Sequence, residues 1–314
     1  MKKVVSIFLA AVMALSFAAC SSDSKDNETD SDADKESSSN SDSTDTYSQS
    51  EFLDGANDTD VYIYTPTESK NESSNTSSSS DDNTPQPNTS TCNIFKKVVC
   101  CGDSYTAGFI ADADGVAHKI NEDYAWPHYM STLTGNDWYN CGCSGCNVLT
   151  WQVHSRGLPA AKNLGKSQAY VIGLMINDVS VKNHVELGTV ADIGTDKDTY
   201  YGGMSKIIRE LNAISPDAKI FVNTCPRADE SYFDYNQAVR DIVETYKNKY
   251  PVHCIDLVEY MDLYESETLQ ADFWHGHYTA VGYEQFAEIY SVILSEYINE
   301  HISEFQDVAF IEYD

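Results

Sequence analysis

Basic residues are scarce in this chain. Its 314 residues hold 20 Lys and Arg against 49 Asp and Glu, a formal net charge of −29. A nucleic-acid partner requires a basic surface to neutralise phosphates, so this balance argues against one. Long apolar runs are nearly missing as well. The one near the N-terminus, "VVSIFLAAVMALSFAA", is too short and too badly flanked for a permanent transmembrane helix. No internal repeat is visible, which excludes solenoids and propellers. Nine cysteines are present, but "CGCSGC" (141–146) lacks a second CxxC-type pair. A structural metal site is therefore not expected, and no cofactor is implied.

The N-terminus reads as an address rather than as fold. Lys2 and Lys3 precede the apolar run, and two alanines precede Cys20. That order is a secretory signal ending in a cysteine. "FAAC" resembles the lipobox of bacterial lipoproteins, in which the cysteine is lipidated and becomes the new N-terminus. The expectation is a signal over 1–20 and an exported protein, lipid-anchored at Cys20 to the outer face of a bacterial cell membrane. Residues 21–91 are Ser, Asp, Asn and Thr with few apolar residues, and hold 17 acids against 3 bases. Such a segment buries too little apolar surface to offset its ordering entropy, so a disordered acidic linker is expected. Its only apolar patch is 51–67. Residues 92–314 carry −17 and are long enough for one single-core domain.

Within that domain, apolar runs predict strands at 96–102, 137–143, 169–178, 218–226 and 252–257. Helical spacing predicts helices at 124–135, 200–215, 232–250 and 279–302. Strands alternating with helices of this length imply an α/β fold: a three-layer α/β/α sandwich around a parallel sheet of about five strands. Ligands of such sheets bind beyond the carboxyl ends of the strands. The notable polar residues follow that rule. Ser104 follows the first strand, Gly142 ends the second, Asn177 and Asp178 end the third, and a histidine pair precedes the last helix.

Four short stretches then carry a resemblance. "GDSYTAG" (102–108), "NCGCSG" (140–145), "IND" (176–178) and "HYTAVGY" (277–283) resemble, in order, the four blocks of the GDSL or SGNH hydrolases. The resemblance implies a flavodoxin-like fold and a serine esterase. It assigns Ser104 as nucleophile, with an oxyanion hole made by the backbone N–H of Ser104, the backbone N–H of Gly142 and the side-chain amide of Asn177. A serine needs a neighbouring base, and its oxyanion needs preorganised donors. Met175 stands where the third block has glycine.

"DFWHGHYTAVGY" (272–283) offers two bases. His275 has the family's DxxH spacing to Asp272, whereas His277 has the family's five-residue step to Gly282. We favour His277 on its anchoring to the last helix, with Asp272 as a displaced acid or a backbone carbonyl in its place. Asp103 and Asp178 are expected to bond local backbone amides. The expected substrate is an acylated carbohydrate such as acetylated xylan, since the chain is tyrosine-rich and has no long apolar lid stretch. Lipase, lysophospholipase and thioesterase activity remain open within the family, as does a non-catalytic surface binding protein.

Overall fold

The computed structural model describes residues 91–111 and 119–314. The expected signal, Cys20 and nearly all of the acidic linker lie outside the described residues.

Five strands form the central sheet: β1 (Lys97–Gly102), β2 (Asp137–Gly142), β3 (Ala169–Gly173), β4 (Lys219–Asn223) and β5 (Val252–Ile255). Their order is β2-β1-β3-β4-β5 and every pairing is parallel. Parallel strands covered on both faces read as continuous apolar runs, as these do. The order reverses between β1 and β3, and ligands of doubly wound sheets gather at such a switch point.

Five helices cover the sheet: α1 (Trp126–Thr134), α2 (Leu158–Asn163), α3 (Tyr200–Ile214), α4 (Phe233–Tyr246) and α5 (Ala280–Glu300). Their ends are written in the sequence. Pro127 sits in the first turn of α1, and Gly135 takes a left-handed conformation just past its end. Thr199 and Thr279 cap α3 and α5 by accepting from the N–H of Gly202 and Gly282.

Successive strand residues face opposite layers. Val99, Cys101, Tyr170, Ile172, Ile220 and Val222 join Leu158 of α2, Ile207 and Leu211 of α3, and Val239 and Ile242 of α4 in one core cluster. On the other face Phe221 meets Tyr297 of α5, and Trp126 of α1 packs on Tyr290 of α5 at 5.4 Å. The architecture is thus the expected α/β/α sandwich.

One element departs from expectation. The apolar run 169–178 is not a single strand: β3 stops at Gly173, and Ile176–Val179 forms a helical turn. Gly173 pairs with Gly102, the last residue of β1, so no β1 ladder partner extends past it. Leu174 and Met175 are apolar because they are buried beyond the sheet edge, not because they lie in it. Gly102 also pairs with Gly142. Three strands therefore end at one level, and their loops leave side by side.

Candidate active site

The first of those loops holds the serine. Ser104–Ala107 is a single helical turn, closed by Gly108 in the left-handed region at φ 79°. Asp103 caps it, its Oδ1 accepting from Tyr105 N at 3.0 Å. Ser104 is 8% exposed at the first position of the turn. Burial pushes the Asp103 carboxyl up to about 7, against the opposing pull of the Tyr105 amide and the Arg227 charge.

The imidazole arrives on a short hairpin, Phe273–Trp274 paired antiparallel with His277–Tyr278. His275 (φ 46°) and Gly276 (φ 86°) form its two-residue turn, and positive φ at both positions is the type I′ signature. His277 Nε2 lies 2.8 Å from Ser104 Oγ. The ring stacks on Tyr105 at 5.2 Å and packs against Phe109 at 4.6 Å. Tyr105 locks the turn by donating to Gly276 O, and Arg227 donates to the Tyr105 hydroxyl. His275 is exposed at the tip. The five-residue step to Gly282 has a steric basis. A Cβ at Gly282 would stand 2.9 Å from Asp272 O, so glycine lets the hairpin base rest on the first turn of α5.

Asp272 lies at the base of the hairpin. Its Oδ1 accepts from Thr279 Oγ1 at 2.8 Å and its Oδ2 from Gln285 Nε2 at 3.4 Å. Asp272, expected as a displaced acid, thus has both carboxylate oxygens engaged by Thr279 and Gln285. Its carboxylate ties the hairpin to the start of α5.

Gly142, expected as an oxyanion donor, lies at the end of β2. Its N–H donates to Asn140 Oδ1 at 2.8 Å and so is already committed. The glycine is needed because a Cβ there would lie 2.2 Å from Ala107 N. Close approach was the right reason, but the partner is the Ser104 turn. Three residues on, Gly145 sits at φ 76° in the turn closed by the Cys143–Cys146 disulfide. Its N–H donates to none of the described residues. Gly145 therefore offers an N–H that Gly142 does not, a residue the sequence analysis did not single out. "NCGCSG" ends on it, and only the committed amide of Gly142 shows which glycine is available.

Asn177 sits half-buried in the turn after β3, where its Nδ2 donates to Cys146 O at 2.9 Å. A carboxamide nitrogen has two hydrogens, so one remains for a ligand. Asp178 is buried and accepts from Val148 N at 3.0 Å, a backbone amide of the loop after β2 rather than the local one expected. Burial pushes its carboxyl up to about 8.

Beside the Ser104 turn lies a cavity of about 410 Å³. Tyr105, Trp126, Tyr232, Tyr264 and Phe273 wall it, with Arg227, Asn223 and Gln270 among its polar groups. Arg227 lies over the rings of Tyr105, Tyr232 and Phe273 at 5.4–6.0 Å. One group of metal-ligating atoms occurs among the described residues: Cys143, Cys146 and His154 place theirs within 4.8 Å of one another. The disulfide holds both sulfurs.

The GDSL-like Lipase/Acylhydrolase family matches residues 100–285, which include the serine turn, the loop after β2, the Asn177 turn and the hairpin. The chain belongs to this family. It is an ester-acting hydrolase by that membership. Solved structures resemble it at low identity. A lipase/acylhydrolase from Enterococcus faecalis is 18% identical over 66% of this chain and 96% of that one, with a TM-score of 0.45. A family two carbohydrate esterase from Clostridium thermocellum, in complex with cellohexaose, is 13% identical over 67% and 65%, with a TM-score of 0.47. A carbohydrate esterase family 2 enzyme with a carbohydrate binding domain, from Corynascus thermopiles (Myceliophthora fergusii), is 17% identical over 66% and 67%, at 0.47. No curated protein matches the chain.

Proposed function

We propose that the protein is an exported serine esterase that removes acyl groups, acetyl foremost, from carbohydrate. The 2.8 Å approach of His277 Nε2 to Ser104 Oγ carries the reading. His277 takes the hydroxyl proton as Ser104 attacks the ester carbonyl, then gives it to the departing sugar oxygen, which leaves as a hydroxyl. Water repeats the cycle on the acyl-enzyme. The transient oxyanion is met by the N–H groups of Ser104 and Gly145 and by Asn177 Nδ2.

A carbohydrate partner is supported by the chemistry of the adjoining cavity. Aromatic walls suit the apolar faces of a sugar ring, and Arg227, Asn223 and Gln270 suit its hydroxyls. Trp274, 38% exposed and paired with His277 across the hairpin, offers a further ring face at the mouth of the site. Export and lipid anchoring at Cys20 rest on the N-terminal sequence pattern alone. Cys20→Ala should move the protein out of the membrane fraction.

The deciding experiment is acetate release from a panel of acetylated polysaccharides, with Ser104→Ala as control. Release from at least one polymer, lost in the variant, is the expected result. A second reading, a non-catalytic binding protein on the same fold, draws on the engagement of the Asp272 carboxylate by Thr279 and Gln285. Failure to hydrolyse even p-nitrophenyl acetate would favour it.

A further inference from the structure

The loop after β2 converges on one covalent link. Cys143 N donates to Gly102 O at 2.9 Å, which fixes the start of the loop to the end of β1. Cys146 N donates back to Cys143 O at 3.1 Å, and a disulfide joins the two side chains. Gly145 lies inside this closed turn. Cys146 O accepts from Asn177 Nδ2, and Gly145 O accepts from Asn183 Nδ2 at 3.2 Å. Both cysteines are almost fully buried.

We propose that the Cys143–Cys146 disulfide is a positioning device for the oxyanion site. It aims the Gly145 N–H and, through the Cys146 carbonyl, sets the carboxamide of Asn177. This rests on reading those two groups as donors to the developing charge. Glycine enters the left-handed region without steric cost, and leaves it as readily. An uncrosslinked Cys-Ser-Gly-Cys turn therefore samples other orientations of the Gly145 amide, and the cross-link removes them. Preorganised donors lose value as they become free to turn, because the cost of aiming them then falls within the reaction. Six other cysteines among the described residues are thiols, so a reductant addresses this one bond there.

The test uses the full chain. A phosphine breaks the S–S bond and leaves two thiols; their hydrogens come from water, whose oxygen ends on phosphorus. The mass of the peptide containing 143–146 verifies reduction. Turnover of p-nitrophenyl acetate is expected to fall about tenfold or more in kcat, short of the 10²–10³ typical of deleting a donor outright. KM and the far-UV circular dichroism stay constant, and reoxidation restores the rate. Cys143→Ala/Cys146→Ala should start at the reduced rate and ignore the phosphine. A verified reduction that leaves kcat unchanged overturns the proposal, as does a loss shared with KM and secondary structure, the mark of a merely structural bond.

A second measurement needs no turnover. On reduction, the backbone resonance of Gly145 and the side-chain amide resonances of Asn177 should shift and broaden, while those of β4 and β5 stay fixed. If these resonances hold still, the proposal is wrong. If they move in a chain that hydrolyses no ester in either state, the positioning holds and the esterase reading fails.

Discussion

The hairpin over 273–278 and the loop over 140–147 both border the Ser104 turn, and they are secured by different means. Rings pack around the hairpin, beside a few hydrogen bonds such as that of Tyr105 to Gly276 O. His277 lies between Tyr105 and Phe109, and Tyr278 meets Phe273 at 5.0 Å and Tyr283 at 5.6 Å. Directed bonds hold the loop. Asn140 Oδ1 takes the Gly142 amide, Asn147 Oδ1 takes those of Leu149 and Thr150, and Asp178 takes that of Val148. Ring packing is tolerant of small rotations, whereas a hydrogen bond weakens steeply off its axis. The division suits the two tasks. A base that receives and returns a proton must adjust between partners, whereas oxyanion donors must already point at a charge that exists only briefly.

Breaking the pair that joins the two sides should cost most. Ser104→Ala and His277→Ala are each expected to lose on the order of 10⁶ in kcat, and the double variant no more, because nucleophile and base act as a unit. His275→Ala and Asp272→Ala serve as contrasts and should keep most of their turnover. If His275→Ala instead abolishes activity and His277→Ala spares it, the base has been misassigned.

Breaking the bonded side should cost about 10²–10³ in kcat through Asn177→Ala, the usual loss for one oxyanion donor. Undiminished turnover in a folded variant removes Asn177 from the site.

Loosening the packed side should cost less. Tyr105→Leu removes the ring beneath His277 and the hydroxyl that holds Gly276 O. A fall of about tenfold in kcat is expected, below the roughly 10²-fold that an ångström of misplacement can cost. A fall as deep as that of His277→Ala would mean that the hairpin has no other support.

The smallest effect concerns pH. Burial raises Asp178 to about 8 and Asp103 to about 7, from an ordinary value of 3.8. Across that window the folded chain keeps protons that the unfolded chain releases, so these groups lower stability as pH rises through it. Asp178→Asn retains the acceptor for Val148 N and removes one titration. Its Tm should fall less than the parent's between about pH 5 and about pH 8. An unaltered slope would show that Asp178 is ionised in the fold.

Much of this was legible in the sequence. Apolar runs marked all five strands, because a parallel sheet covered on both faces demands them. The pairing of Ser104 with His277 was legible from the step to Gly282, because a glycine at that distance is what allows hairpin and helix to touch. The partners of Asp272 were not legible, because chain spacing says nothing about which neighbour takes a carboxylate, and here Thr279 and Gln285 do. The engagement of the Gly142 amide was hidden for a related reason. Sequence shows where a backbone has no side chain but not where its N–H points, and Asn140 decides that here. Helix α2 and the hairpin strands are too short to leave a period.

The two-residue turn at His275 and Gly276 also makes the site a matter of parity. Alternate residues of a strand face opposite ways, so a one-residue change between Trp274 and His277 that the turn does not absorb slips Phe273 and Trp274 against His277, whose step to Gly282 is unaltered. The indole and the phenyl ring would then exchange faces beside the imidazole. Length variants of this hairpin should therefore keep Trp274 on the face of His277 only in steps of two.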